Sequence, residues 1–172
     1  YAMAKTRAES LISQGQAIGS EPRGLLPVAG AAARLLAATP SFAEAASAGS
    51  VAVIDIGHER CDVVMVTRGK PTYSRTLARA GKQVTAAIAQ HWKLSFADAE
   101  RAKHSDGFVA SSMEPATSEA WDRVHQVVVT ELLPFARDVR QTLASCRART
   151  GATVSRVLLV GGGARLRGLA SF

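Results

Sequence analysis

The sequence is poor in aromatic residues and in cysteine. Aromatic residues make up 5% of the 172 positions, and the two cysteines are Cys61 and Cys146. They fall in different predicted elements, without the spacing of metal ligands, so we expect both to be reduced core residues. This argues against a zinc site and a disulfide scaffold, and it fits a reducing compartment. With so few aromatics, the core should consist of small and β-branched side chains.

Long apolar runs, a leader sequence and a catalytic constellation are also missing. No stretch reaches ~18 apolar residues without a charge, so we predict no membrane-spanning helix in this chain, and the N-terminus lacks the pattern of a signal peptide. No Ser/His/Asp or Cys/His arrangement is recognisable, so we predict no catalytic residue. The chain starts at Tyr1 and stops at Phe172, shortly after a glycine motif. We therefore expect a piece of a longer protein.

Charge is abundant but scattered. The formal net charge is +7, and the arginines are dispersed, with no basic run interleaved with aromatics. This pattern does not favour nucleic acid as a partner. It is compatible with acidic lipid head groups or an acidic protein.

The most informative stretch reads as two strands joined by a tight turn, residues 51–57 and 61–66. Asp55 interrupts a β-branched run near the end of the first strand. Because burying an unpaired carboxylate is costly, we expect Asp55 at a strand tip, facing a cavity. Gly57 then lets the backbone turn sharply or approach a ligand closely. Taken alone, the stretch also fits a plain hairpin with an exposed acid.

Periodicity and turn residues predict the other elements. A capping box formed by Thr6 and Glu9 should start a first helix, and residues 41–50 should form a linker or a weak helical turn. Pro134 lies within a long apolar stripe and should kink that helix or divide it. The predicted helices span 7–18, 28–36, 82–92, 96–104 and 117–150, and the further strands span 25–26, 73–77 and 156–160.

A triple glycine follows the last strand, and a helix is predicted from Ala164. Glycines at such a bend let backbone N–H groups face an anion, although many tight strand-to-helix crossings look alike. No Walker sequence follows, and no paired acid completes a dinucleotide fingerprint.

The order of these elements resembles the second half of the actin-like ATPase superfamily. Residues 27–33 resemble its inter-lobe connecting helix, residues 53–62 its second phosphate loop, and residues 157–166 its adenosine motif. The resemblance implies an α/β fold, an actin-like (ribonuclease H-like) subdomain with a mixed sheet flanked by helices. It assigns residues 1–40 to a remnant of the first lobe with the connecting helix, and residues 41–172 to a second lobe truncated at its C-terminus. The nucleotide-binding positions that it implies, retained or vestigial, are Asp55, Gly57, Glu100, Lys103, Gly161, Gly162 and Gly163.

Within this superfamily, the chain is most similar to the branch of cell-envelope assembly proteins that holds GspL, PilM and FtsA. Residues 75–85, 97–103 and 161–169 carry the similarity, which is strongest to the cytoplasmic domain of the type II secretion L protein, GspL. Nucleotide-binding members have Asp-Ile-Gly-Gly-Gly-Thr in the phosphate hairpin, whereas this chain has His58, Glu59 and Arg60 after Gly57. Glu59 would repel a phosphate unless its side chain points away. The first phosphate loop belongs to an N-terminal half that this sequence lacks.

The resemblance therefore implies a non-catalytic scaffold that recruits a GspE-like secretion ATPase to an inner-membrane assembly platform. The expected location is the cytoplasmic face of the bacterial inner membrane, with attachment through a segment outside this chain and with no cofactor or metal. The alternative is an ATP-binding PilM-like or FtsA-like protein, in which Asp55 would hold Mg²⁺ through water. A sugar or acid kinase of this fold would need a catalytic Asp that this sequence does not show. Exposed lobe-facing apolar surface would favour a homodimer.

Overall fold

The chain opens with three helices, continues with a three-stranded meander and three more helices, and returns to the sheet with one last strand. The computed structural model describes residues 3–112 and 114–172. In chain order the elements are α1 Lys5–Ala17, α2 Val28–Ala38, α3 Pro40–Ala48, β1 Ser50–Ile56, β2 Cys61–Thr67, β3 Lys70–Leu77, α4 Gly81–Trp92, α5 Phe96–Asp106, α6 Glu119–Thr150 and β4 Arg156–Val160. Short 3-10 turns follow at Gly162–Arg165 and Leu169–Ser171.

The four strands form one mixed sheet in the order β3-β2-β1-β4. β1 pairs antiparallel with β2, and β2 with β3, which confirms the predicted meander, while β4 runs parallel to β1. A two-residue turn joins β2 to β3, with positive φ angles of 50° at Arg68 and 73° at Gly69. Such turns match the twist of the strands they join. β3 therefore begins at Lys70, three residues before the predicted start.

Helices cover both faces of the sheet, because side chains on a strand alternate between its faces. Ile54 and Ile56 of β1 pack into a core with α4, α5 and α6. Val51 and Val53 pack into a second core with α2 and α3, in which Ala29 and other small residues let α2 approach the sheet closely. Central strands covered in this way read as continuous apolar runs, which is why β1 and β2 were recognisable from the sequence.

The helix boundaries confirm several of the predicted stops and caps. The Ser95 side chain accepts a hydrogen bond of 3.1 Å from the Asp98 N–H at the start of α5. α6 is 32 residues long and ends at Gly151. Pro134 lies inside α6, so it does not divide the helix as one alternative proposed. Residues 41–48 belong to α3, which settles the choice between a linker and a helix.

Two predictions near the N-terminus are wrong. α1 begins at Lys5, and Ala4 at its start makes no side-chain cap, so Thr6 and Glu9 form no capping box. Alanine and lysine are good helix formers, so the helix extends beyond the expected cap. Residues 25–26 form no strand. Leu26 packs over Gly30 of α2 and pairs with no sheet edge.

Two predictions near the C-terminus are also wrong. β4 is not fully buried: it is an edge of the described sheet, and Val157 is 46% exposed. The triple glycine leads into a 3-10 turn in place of an α-helix. Arg167 pairs with Phe108 in a short parallel bridge, and this draws the segment toward the loop between α5 and α6 before a longer helix can form.

Candidate functional site

The tips of β1 and β4 meet where the sequence places an acid and the glycine bend. Asp55 and Val160 are register partners in the parallel pair, so Gly161 follows beside the Asp55 carboxylate. Gly161 has φ of 85°, and a Cβ there would overlap Asp55 Oδ1 and the carbonyl oxygen of Ile56. Only glycine fits this crossing without displacing backbone. The structure thus places the half-buried Asp55 at a strand tip, in contact with the glycine bend.

A cleft of about 700 Å³ opens between these strand tips and helices α4, α5 and α6. A volume of this size lies within the usual range for small-molecule sites. Five of the predicted site residues line it: Gly57, Glu100, Lys103, Gly162 and Gly163. Asp55 is not among the lining residues, because strand alternation directs Ile56 into the cleft and Asp55 to the α2–α3 side.

An ion pair between two turns of α5 forms the polar wall of the cleft. Lys103 Nζ lies 2.9 Å and 2.8 Å from the two carboxylate oxygens of Glu100. It also donates to Thr85 Oγ1 at 2.8 Å and approaches the Gly81 carbonyl oxygen at 3.4 Å. The Thr85 hydroxyl in turn donates to Glu100. The network joins α5 to the start of α4, and its groups satisfy one another.

The Glu100 carboxyl is strongly biased toward its charged form. Burial by itself would raise the pKa of this group. The hydrogen bonds from Lys103 and Thr85, the charge of Lys103 and the hydrogen bond from His104 together outweigh burial and lower the pKa to about 2. The carboxylate therefore stays ionised throughout the physiological range and serves as a fixed acceptor.

The turn between β1 and β2 is bulky and charged, and it closes one end of the cleft. Glu59 is ion-paired with Lys82 of α4 at 3.2 Å. The His58 ring packs edge-on against Phe96 with centroids 5.9 Å apart, and its Nδ1 lies 3.9 Å from Glu100 Oε1. The carbonyl oxygens of Gly57 and His58 accept hydrogen bonds from the first N–H groups of α4, at 3.1 Å and 2.7 Å. This turn therefore caps α4 with its own backbone.

Two carboxylates lie side by side on the opposite face of the hairpin. Asp55 and Asp62 are direct cross-strand partners, and the Thr76 hydroxyl donates to Asp62. Within residues 3–112 and 114–172, no group of three or more His, Cys, Asp or Glu side chains is arranged to hold a metal ion.

Cys61 is fully buried at the start of β2, directly after the hairpin turn, and its thiol should be chemically inert. Burial, followed by the charges of Asp62 and Asp55, raises the pKa of the thiol to about 12. Cys146 is also fully buried. In the native Cys146→Ala variant, we expect the remaining thiol to react with Ellman's reagent roughly a thousandfold more slowly than an exposed thiol. In urea it should react at the ordinary rate. A fast native reaction would contradict the enclosure of Cys61.

Sequence reasoning missed three residues at this site. His58 lies in the turn between β1 and β2 and His104 is exposed on α5, but the sequence analysis did not predict that both lie beside Glu100. The position of His104 four residues after Glu100 on one helix was an available signal. Thr85 ends one of the stretches that carry the family resemblance, but its contact with Glu100 depends on how α4 and α5 pack.

Solved structures with a similar fold identify the class of protein. The chain is similar to the protein of a PilM-PilN type IV pilus biogenesis complex, with 26% identity and a TM-score of 0.71, over 95% of this chain and 43% of that one. It also resembles MreB5 of Spiroplasma citri bound to AMPPNP (18% identity, TM-score 0.67, 98% and 56% of the two chains). A third similar structure is the ethanolamine utilization protein EutJ from Carboxydothermus hydrogenoformans (21%, TM-score 0.61, 93% and 50%). The protein has an actin-like fold, and the chain spans about half the length of these relatives.

A family profile identifies the family within this superfamily. The profile of the family described as cell division protein FtsA matches residues 52–172, and the chain belongs to this family. This confirms the expected superfamily, although the specific likeness to GspL is not shown. No curated protein matches the chain. None of the helices in the described part of the chain combines the length and apolar character needed to cross a membrane.

Proposed function

We propose that this chain is a non-catalytic, actin-like scaffold domain of a cell-envelope assembly platform of the secretion or pilus type. It acts at the cytoplasmic face of the inner membrane, where it recruits a secretion ATPase and contacts platform proteins. The observation that carries this proposal is the turn between β1 and β2. Glu59 and His58 stand where nucleotide-binding members of the superfamily have small residues, and Glu59 is held there by Lys82.

The polar wall of the cleft supports the same proposal. Lys103 directs its hydrogens to Glu100, Thr85 and the Gly81 carbonyl, and Glu100 accepts from Thr85 and His104. A ribose or base would have to displace these bonds, which link α4 to α5. In a scaffold the same bonds serve to keep the two helices in a fixed relation. The similarity to PilM, which assembles with PilN in a pilus complex, supports a partner-binding role.

A second candidate function is adenine-nucleotide binding by the complete two-lobed protein. The cleft of about 700 Å³ favours it, since five predicted positions converge there. In that case Glu100 and Lys103 would contact the nucleoside, and Gly162 and Gly163 would line its pocket next to Gly161. Asp55, which lies outside the cleft at the same strand tips, would hold Mg²⁺ through water.

Nucleotide titration of the full-length protein separates the two functions. We expect no ATP binding in calorimetry up to ~1 mM with Mg²⁺, which corresponds to less than about 4 kcal/mol of binding free energy. Micromolar, Mg²⁺-dependent affinity that is lost in Asp55→Ala would overturn the scaffold proposal and support the second candidate. As a matched test of the turn, a His58→Gly, Glu59→Gly variant should gain affinity if the bulky turn is what excludes phosphate.

Partner binding tests the scaffold role directly. The full-length protein should co-purify with its secretion or pilus ATPase and platform proteins, and depletion of ATP with apyrase should leave the complex intact. Dissociation on ATP depletion would contradict a nucleotide-independent scaffold.

A further inference from the structure

Charge is distributed unevenly between the two ends of the sheet. The sequence contains no Asp or Glu between Asp62 and Asp98, and none after Asp138. Near the cleft, acids are frequent on the strand tips and on the helices that surround them. The acids at this end include Asp55, Glu59, Asp62, Glu100 and Glu131.

The opposite end of the sheet carries more cations than acids, and the nearby acid is Glu44 of α3, the helix whose Ser41 and Ala46 contact Arg156 and Gly69. The turn between β2 and β3, the last turn of α6 and the first residue of β4 all lie there, and we call this surface the basic end. Its cations are Arg68, Lys70, Arg147, Arg149 and Arg156.

Strand register and packing place these three segments together. Ser50 pairs with Thr67, and Val51 with Arg156, so the β2–β3 turn and the start of β4 flank the same end of β1. The Arg68 N–H donates to the Gly49 carbonyl oxygen at 2.9 Å. Cys146, in the final turns of α6, packs against β1 and β2 near this end.

The five cations are exposed and free of acidic partners. Each side chain is exposed, and none forms an ion pair with any acidic residue of the described chain. Arg156 donates to the Ser41 carbonyl oxygen at 3.0 Å, which leaves its charge uncompensated. Arg147 and Arg149 also complement the dipole of α6. That structural role does not extend to Arg68 on the hairpin turn or to Lys70, the first residue of β3.

We propose that the basic end adsorbs to an anionic phospholipid bilayer. The cations come from three separate segments that end at the same side of the sheet, away from the cavities of about 700 and 540 Å³. A peptide partner is usually held in a groove or along the length of a strand edge. The five cations instead lie at the ends of strands and of a helix, with only Arg156 on the β4 edge, and such an array at the end of a domain suits a lipid surface. Val157 is the large hydrophobic residue exposed next to Arg156, so attachment is electrostatic, without deep insertion.

Vesicle sedimentation of the full-length protein tests this proposal. We expect stronger binding to phosphatidylcholine vesicles with about 30% phosphatidylglycerol than to pure phosphatidylcholine at low salt, and loss of this difference at ~0.5 M NaCl, where charges are screened. Each cation near the surface should change the partition coefficient roughly fivefold. Arg68→Asn with Lys70→Ser should therefore weaken binding about 10- to 25-fold.

A matched pair elsewhere controls for net charge. Arg60→Ser with Lys93→Asn removes two exposed cations outside the basic end, and Lys93, like Arg68, has positive φ. This control should bind within about threefold of the unaltered protein. Arg147→Ser with Arg149→Ser tests the helix segment of the basic end independently, and circular dichroism verifies folding. Failure to bind anionic vesicles, or equal loss in the control pair, would overturn the proposal, whatever the outcome of the nucleotide titration.

Discussion

Gly161→Ala is expected to lower the free energy of unfolding by about 3–5 kcal/mol, because it strains the backbone and creates a clash at the same point. The residue has φ of 85°, and its ψ of 171° places it in a region that only glycine occupies readily. The added Cβ would overlap the Asp55 carboxylate and the Ile56 carbonyl, and the latter is backbone that cannot rotate away. The β1 and β4 tips would have to separate.

The neighbouring glycine provides the control. A Cβ at Gly162 meets nothing within 4 Å, and its φ is not positive, so Gly162→Ala should change stability by less than about 1 kcal/mol. Urea denaturation followed by circular dichroism measures both variants. Equal stability of the two variants would mean that Gly161 does not pack tightly against Asp55 and Ile56.

Lys103→Met should have the second-largest effect, a loss of about 2–4 kcal/mol, because it leaves the Glu100 carboxylate partly buried without its cation. The Lys103 side chain is 13% exposed and that of Glu100 28%, so solvent cannot fully replace the lost partner. Adding Glu100→Gln to Lys103→Met should restore part of the loss, since the uncompensated charge is then gone.

Arg101→Met is the matched control on the same helix. Arg101 is paired with Asp98, but its side chain is 75% exposed, and such surface pairs contribute less than about 1 kcal/mol. If Lys103→Met proved as mild as Arg101→Met in urea denaturation, the network would not be a stabilising link between α4 and α5.

The Glu100 pair also makes stability depend on pH. Because the folded pKa is lowered from 4.5 to about 2, the charged carboxylate stabilises the fold fully above 4.5, and this contribution disappears as pH falls from 4.5 to 2. Glu100→Gln should flatten this part of the pH–stability curve in urea titrations. If the stability of that variant fell to the same extent between pH 4.5 and 2, other carboxylates would be responsible for the acid sensitivity.

Part of the site could be predicted from local patterns. Asp55 and Gly57 followed from the pattern of the first strand and its turn. Glu100 and Lys103 were implied by the family resemblance, and their spacing of three on one helix brings them together. The apolar runs of β1 and β2 and the Ser95 cap of α5 were also predictable from local patterns. His58 and Thr85 could not be assigned in this way, because their contacts with Glu100 cross from one element to another.

The sequence by itself determined where most strands and helices lie, since these follow from periodicity, caps and glycines acting over a few neighbours. The order of these elements implied the fold class and most of the site residues through its resemblance to a known superfamily. Tertiary packing alone decided that β4 is a half-exposed edge, that the triple glycine enters a 3-10 turn, and that Asp55 lies on the face opposite the cleft. It also gathered Arg68, Arg147 and Arg156, far apart in the chain, at one end of the sheet. These features depend on contacts between residues that are far apart in the sequence, and a local sequence pattern does not contain that information.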